Sequence, residues 1–150
     1  MKLGNAFGNT DNLRIKTFVL GGQEFRVRVP LTKEMEEIGK RCDAIDQAKF
    51  DARFQQTIKG MKPGEDGVVV DGDDYIVDGR STKELVTTAM RLENRVVEYV
   101  KLLVPVDGTT LGDLTYEEVD AEWPLSVQLE ILTKISEAIQ PGYKDARKNS

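Results

Sequence analysis

The sequence predicts an α+β fold: an N-terminal β-hairpin, room for a second short hairpin, and a mainly helical core of three to four helices. Two alternating runs flank Gly21-Gly22, and the stretches behind the Ser81 capping box and behind Trp123-Pro124 carry apolar residues at steps of three and four. Alternation has the two-residue period of a strand, whereas steps of three and four follow one face of a helix. At 150 residues the chain is the size of one ordinary domain and can bury a core without disulfides or structural metal.

Residues 1–13 are rich in Gly, Asn and Asp without a period, and are expected to form a flexible arm. One α+β domain is expected over 14–140, with an acidic excursion at 63–80 and a flexible tail at 141–150. Arg14 to Leu20 and Gln23 to Val29 alternate on either side of the glycine pair, which tolerates the positive φ of a tight hairpin turn. In the second strand Phe25, Val27 and Val29 face one way, and Glu24, Arg26 and Arg28 the other. That arginine stripe is either a solvated sheet face or a contact for an acidic partner. Pro30 ends the ladder.

Thr32 is the expected N-cap of a helix whose buried stripe is Met35, Ile38, Cys42 and Ile45. Phe50, Phe54, Ile58 and Met61 continue the stripe out of phase, which requires a bend or a second helix near residues 47–51. Val68 to Val70 and Tyr75 to Val77 flank Asp71-Gly72-Asp73-Asp74; they form either a short hairpin or a mobile acidic loop. Ser81-Thr82-Lys83-Glu84 is a capping box. Behind it Leu85, Ala89, Leu92, Val96, Tyr99 and Leu103 mark a helix that Pro105 stops, with Val86, Val97 and Val100 widening the stripe. Thr115 to Glu118 is a second capping box, opening a short helix to about Glu122. Trp123-Pro124 then leads into a last helix with Leu125, Leu129, Leu132, Ile135 and Ile139 inward, ended by Pro141-Gly142.

Composition narrows the function. The net charge is −5, with a pI near 4.9, which gives no general attraction for a phosphate backbone; no nucleic-acid partner is expected. No apolar run approaches the roughly 20 residues that cross a bilayer, so no membrane partner is expected, and with a single cysteine the chain is placed in a cytoplasm. The chain has no histidine, which excludes Ser-His and Cys-His nucleophile pairs and imidazole metal ligation. Cys42 lies on an apolar helical stripe, the place of a structural thiol. Counting an EF-hand loop from Asp71 puts Tyr75 at the fifth position, Ile76 at the sixth and Thr82 at the twelfth, so the calcium pattern fails. Glu117, Glu118, Asp120 and Glu122 sit in the turns of a short helix, where carboxylates answer the helix dipole. Gly60 to Gly64 has the wrong spacing for a P-loop. The expectation is no catalytic residue, no metal and no cofactor. The residues singled out for partner binding are Phe25, Arg26, Arg28, Trp123 and, in the basic tail, Arg147 and Lys148. Trp123 is either a hinge packed between helices or a partner anchor.

The order of elements resembles the tail assembly chaperones of long-tailed bacteriophages. Four stretches carry the resemblance: Thr17-Phe18-Val19-Leu20-Gly21-Gly22-Gln23-Glu24-Phe25-Arg26-Val27-Arg28, the central helix after Ser81, Leu114-Thr115-Tyr116-Glu117-Glu118-Val119, and Trp123-Pro124-Leu125 with the closing helix. The resemblance spans roughly residues 14–140 and implies a small non-catalytic α+β protein in the host bacterial cytoplasm. Such a protein binds the tape-measure protein and recruits major tail protein subunits, then leaves the finished tail; self-association is compatible with that role. It also implies two products related by ribosomal frameshifting near the end of the shorter. The acidic stretch 63–80 looks long for the family. An open hairpin edge and apolar helix faces would supply reversible contacts. The alternatives are a structural virion component, such as a tail tube or head–tail connector subunit, and a small carboxylate-dependent enzyme.

Overall fold

A computed structural model of the chain describes residues 3–8 and 11–140, with the side chains of residues 11 and 12 excepted. The fold is α+β, with two small antiparallel sheets and six α-helices among the described residues. Two compact units divide the chain: Met1–Ile38 with Val96–Ser150, and the contiguous stretch Gly39–Arg95.

The first unit opens with a single helical turn, α1 (Leu3–Phe7), and a 3₁₀ turn over Asp11–Arg14. Leu3, Phe7 and Leu13 are exposed. Strands β1 (Ile15–Leu20) and β2 (Gln23–Arg28) form the expected hairpin, with Leu20 opposite Gln23. Gly21 and Gly22 take φ of 60° and 76°, the two positive angles that a tight two-residue turn requires. Phe18 and Phe25 stack across the strands with centroids 5.2 Å apart, and Val27 is fully buried.

The hairpin does not have two open edges. Leu102 and Val104 lie alongside β2: the Arg28 amide donates to the Leu102 carbonyl (2.8 Å) and the Val104 amide to that of Arg26 (2.8 Å). Val27 and Leu103 form an antiparallel bridge. Leu103 is therefore not on a helical stripe, as its spacing had suggested. The helix ends at Val100, ahead of Pro105, and the chain turns to give the sheet a third, one-bridge strand.

Helix α2 (Thr32–Asp43) starts at Thr32 itself, one residue past its cap position. The expected Thr32 cap is replaced by Glu34, whose carboxylate accepts from the Leu31 amide (3.4 Å). Glu34 also takes 2.8 Å bonds from the Arg14 and Arg28 guanidinium groups. The Arg28 bond first, with the Leu31 amide and Arg14, outweighs partial burial and holds the Glu34 pKa below its ordinary value. Because that value lies below the unfolded chain's, ionised Glu34 adds stability above the usual carboxylate range, and the gain is lost as pH falls through the lower folded value. Its side chain is 38% exposed, so screening limits the gain to about 0.5 kcal/mol. Glu34→Gln is expected to flatten the acid limb of a stability–pH curve by about that amount. Urea titrations at several pH values check it, and a variant curve parallel to the parent's would refute it.

Helices α5 (Tyr116–Glu122) and α6 (Leu125–Ile139) complete this unit. Thr115 and Glu118 form both halves of the expected capping box. Pro124 occupies the cap position of α6 rather than its first turn. The α6 stripe is rotated from the expected one: Gln128, Ile131, Leu132 and Ile135 are buried, whereas Leu125 is 54% exposed and Leu129 is exposed too. A glutamine reads as a surface residue, yet this one has its whole amide matched by partners, which removes the cost of burying it.

The second unit holds α3 (Gln47–Ile58), β3 (Val68–Asp71), β4 (Asp74–Val77), β5 (Arg80–Ser81) and most of α4 (Thr82–Val100). The phase shift after Ile45 is a true break. Asp46 caps a new helix by accepting from the Lys49 amide (3.1 Å), and the Asn94 amide donates to the Cys42 and Ala44 carbonyls at the preceding helix end. Residues 68–81 form a three-stranded sheet, with Val68 opposite Val77 and Ile76 opposite Ser81, so the hairpin alternative holds and gains a third strand. Phe54, Val68 and Val86 are its buried apolar centre, and the Tyr75 ring meets Phe54 edge-on. On α4, Val86 is 4% exposed and Leu85 51%, so the stripe passes through the valine.

Candidate functional site

The first unit contains an apolar groove of about 480 Å³. Three stretches build it: the second hairpin strand at Gln23–Arg26, the helix end and turn from Val100 to Asp107, and the segment from Leu111 to Trp123. Each is held for a local reason. The glycine turn fixes the register of the strand, and the Leu102–Val104 pairing fixes the turn after α4. The capping box fixes the start of α5, which brings Val119 and Trp123, four residues apart, to one side. The apolar lining comes from Phe25, Val100, Leu103, Leu114, Val119 and Trp123, all buried or half-buried.

The charged groups along the groove are Glu24, Asp107, Glu118 and Glu122, with Arg26 as the one guanidinium in the lining; all five are exposed. A hydrogen bond from the Thr109 hydroxyl, then one from its amide, holds the Asp107 pKa below the ordinary value, so Asp107 is ionised at neutral pH. The groove is thus apolar inside and negative outside.

Trp123 is held by a buried polar knot. Gln128 is 1% exposed; its Nε2 donates to the Trp123 carbonyl (2.8 Å) and to Asp120 Oδ1 (3.0 Å), and its Oε1 accepts from the Tyr116 hydroxyl (2.9 Å). Nothing in the sequence singles out Gln128 except its position four residues past Pro124.

Of the residues expected to bind partners, the structure brings Phe25, Arg26 and Trp123 together on this groove. Trp123 is half-buried there, so the hinge and anchor readings coincide. Arg28 is turned to Glu34 in an ion pair, so the two arginines do not form one basic face. Arg147 and Lys148 lie outside the described residues.

Two of the carboxylates weighed for catalysis have local structural tasks. Glu118 closes the capping box and Asp120 accepts from Gln128. In the 71–78 stretch Asp73 pairs with the Lys83 ammonium at 2.7 Å, and Asp74 caps α4. Among the described residues, no group of three His, Cys, Asp or Glu is placed to hold a metal ion. No described helix is long and apolar enough to cross a membrane. No protein-family model, curated protein or solved structure matches the chain.

Proposed function

We propose that this chain is a non-catalytic assembly chaperone of a long-tailed phage. It holds tape-measure and major tail protein subunits in the host cytoplasm and leaves before the tail is complete. One observation carries the reading: each of the four stretches that give the sequence its resemblance to that family contributes to one apolar groove, the central helix through its last residue, Val100. The hairpin stretch lies far in the chain from the others, and a resemblance made of unrelated turn and cap signals gives no reason for it to meet them.

The groove's character suits the task. An apolar floor can cover a subunit's greasy surface, and the exposed charged surround keeps that contact reversible. Glu118 serves a helix cap and Asp107 a turn, while Glu24 and Glu122 stay exposed at the groove, an arrangement suited to binding rather than turnover.

Co-expression with the tape-measure protein and the major tail protein tests the reading. A soluble complex is expected, which the pair Phe25→Ala and Trp123→Ala abolishes without unfolding the chain. Mass spectrometry of purified particles should find the chain absent. Stoichiometric presence in the particle would instead make it a tube or connector subunit, and failure to bind either protein would overturn the proposal.

A further inference from the structure

We infer that the groove takes an amphipathic helix carrying lysine and arginine: apolar side chains on the floor, cationic side chains against the carboxylates. The inference rests on the proposed chaperone reading only for which protein supplies that helix. Charge complementarity argues for it. Four carboxylates and one guanidinium line the groove, so it presents net negative charge to whatever enters. The sequence left open whether Arg26 and Arg28 form a solvated face or meet an acidic partner. Arg28 is engaged by Glu34, and Arg26 stands alone among the acids.

The carboxylates are also arranged for a helix. Glu118 and Glu122 lie four residues apart on α5, beside Val119 and Trp123, which are also four apart. A row of charges thus runs parallel to a row of apolar contacts, which matches the two adjoining faces of an amphipathic helix. Strand addition is closed off on this side, because the outward backbone groups at Arg26 and Arg28 already bond Val104 and Leu102. Recognition through side chains in a groove is the mode that remains. A fatty acid fits the floor, but its carboxylate would meet like charges at the mouth.

Trp123, the chain's single tryptophan, lies in the groove and reports on occupancy. The test titrates the full chain with two synthetic peptides sharing one leucine face, one with lysines and the other with glutamates on the polar face. The lysine peptide is expected to shift Trp123 emission saturably, with affinity falling as salt is raised. The glutamate peptide is expected to bind at least about tenfold more weakly. The double variant Glu24→Gln, Glu122→Gln is expected to weaken the lysine peptide about three- to tenfold while leaving the circular dichroism spectrum unchanged.

Equal affinity for both peptides would overturn the inference. So would tighter binding of laurate than of the lysine peptide, which would assign the groove to lipid. If neither peptide moves the emission but tail subunits still co-purify, the inference fails and the chaperone reading stands. If the lysine peptide binds with the expected selectivity and no tail subunit co-purifies, the inference stands and the chaperone reading fails.

Discussion

Replacing Gln128 by leucine is expected to destabilise the protein by about 3 kcal/mol and to change the emission of Trp123 in the folded state. Leucine keeps most of the side-chain volume, so little of the loss is a cavity. What is lost is a set of three hydrogen bonds at a position 1% exposed. Asp120 is exposed and can turn to water. The half-buried Tyr116 and Trp123 each lose one hydrogen bond to Gln128, at about 1 kcal/mol or more apiece. Against a total stability of about 5–15 kcal/mol for an ordinary domain, that is a large fraction. Tyr116→Phe removes one bond and leaves the buried Gln128 Oε1 without its donor, and is expected to cost about 1–2 kcal/mol. Urea unfolding followed by both circular dichroism and tryptophan emission checks the order. A leucine variant within about 0.5 kcal/mol of the parent would show that the knot is not what holds α5 to α6.

Asp74→Ala is expected to cost about 2–3 kcal/mol, and to loosen the start of α4 first. One carboxylate there serves three donors. Asp74 accepts from the Ser81 hydroxyl, from the Lys83 amide at 3.1 Å and from the Tyr75 amide at 2.8 Å. Burial pushes its pKa up, but the Ser81 hydroxyl, the two amides and the Lys83 charge together hold it below the ordinary value. Alanine removes all three bonds, whereas asparagine keeps one oxygen acceptor and loses the charge, so Asp74→Asn is expected to cost about 1 kcal/mol. Hydrogen exchange should show the amides of the first turn of α4 opening before those of α3. If alanine and asparagine cost the same, charge rather than bonding carries the effect. If neither costs anything, the cap belongs to Ser81 alone.

These two residues mark the boundary of what the sequence made legible. Elements with a local signature were readable. The glycine pair gave the hairpin, the phase shift after Ile45 gave the break before α3, and Thr115 with Glu118 gave the cap of α5. Each depends on residues within a few positions of one another. Some misses were local, as at Thr32 and Pro124, but others depend on partners in another element. Ser81 caps α4 by accepting from the Glu84 amide (3.1 Å), but the carboxylate that completes the cap comes from β4. Leu103 continues a helical spacing, yet the backbone of β2 captures it. Gln128 is polar by composition and buried by partnership. The groove was half legible: Phe25 and Trp123 stood out as large aromatics, but their meeting, and the negative charge around them, required the fold.

The bridge between Val27 and Leu103 also orders events in time. A ribosome releases the β1–β2 hairpin early, and such a hairpin closes in microseconds once its residues are free. Its third strand does not exist until Val104 has been synthesised, and by then every residue of the contiguous stretch Gly39–Arg95 has already been made. During translation the nascent hairpin therefore waits with the β2 edge uncovered while the intervening stretch is completed. The β1–β2 backbone ladder and the aromatic pair Phe18 and Phe25 are what the hairpin itself offers to hold it together through that interval.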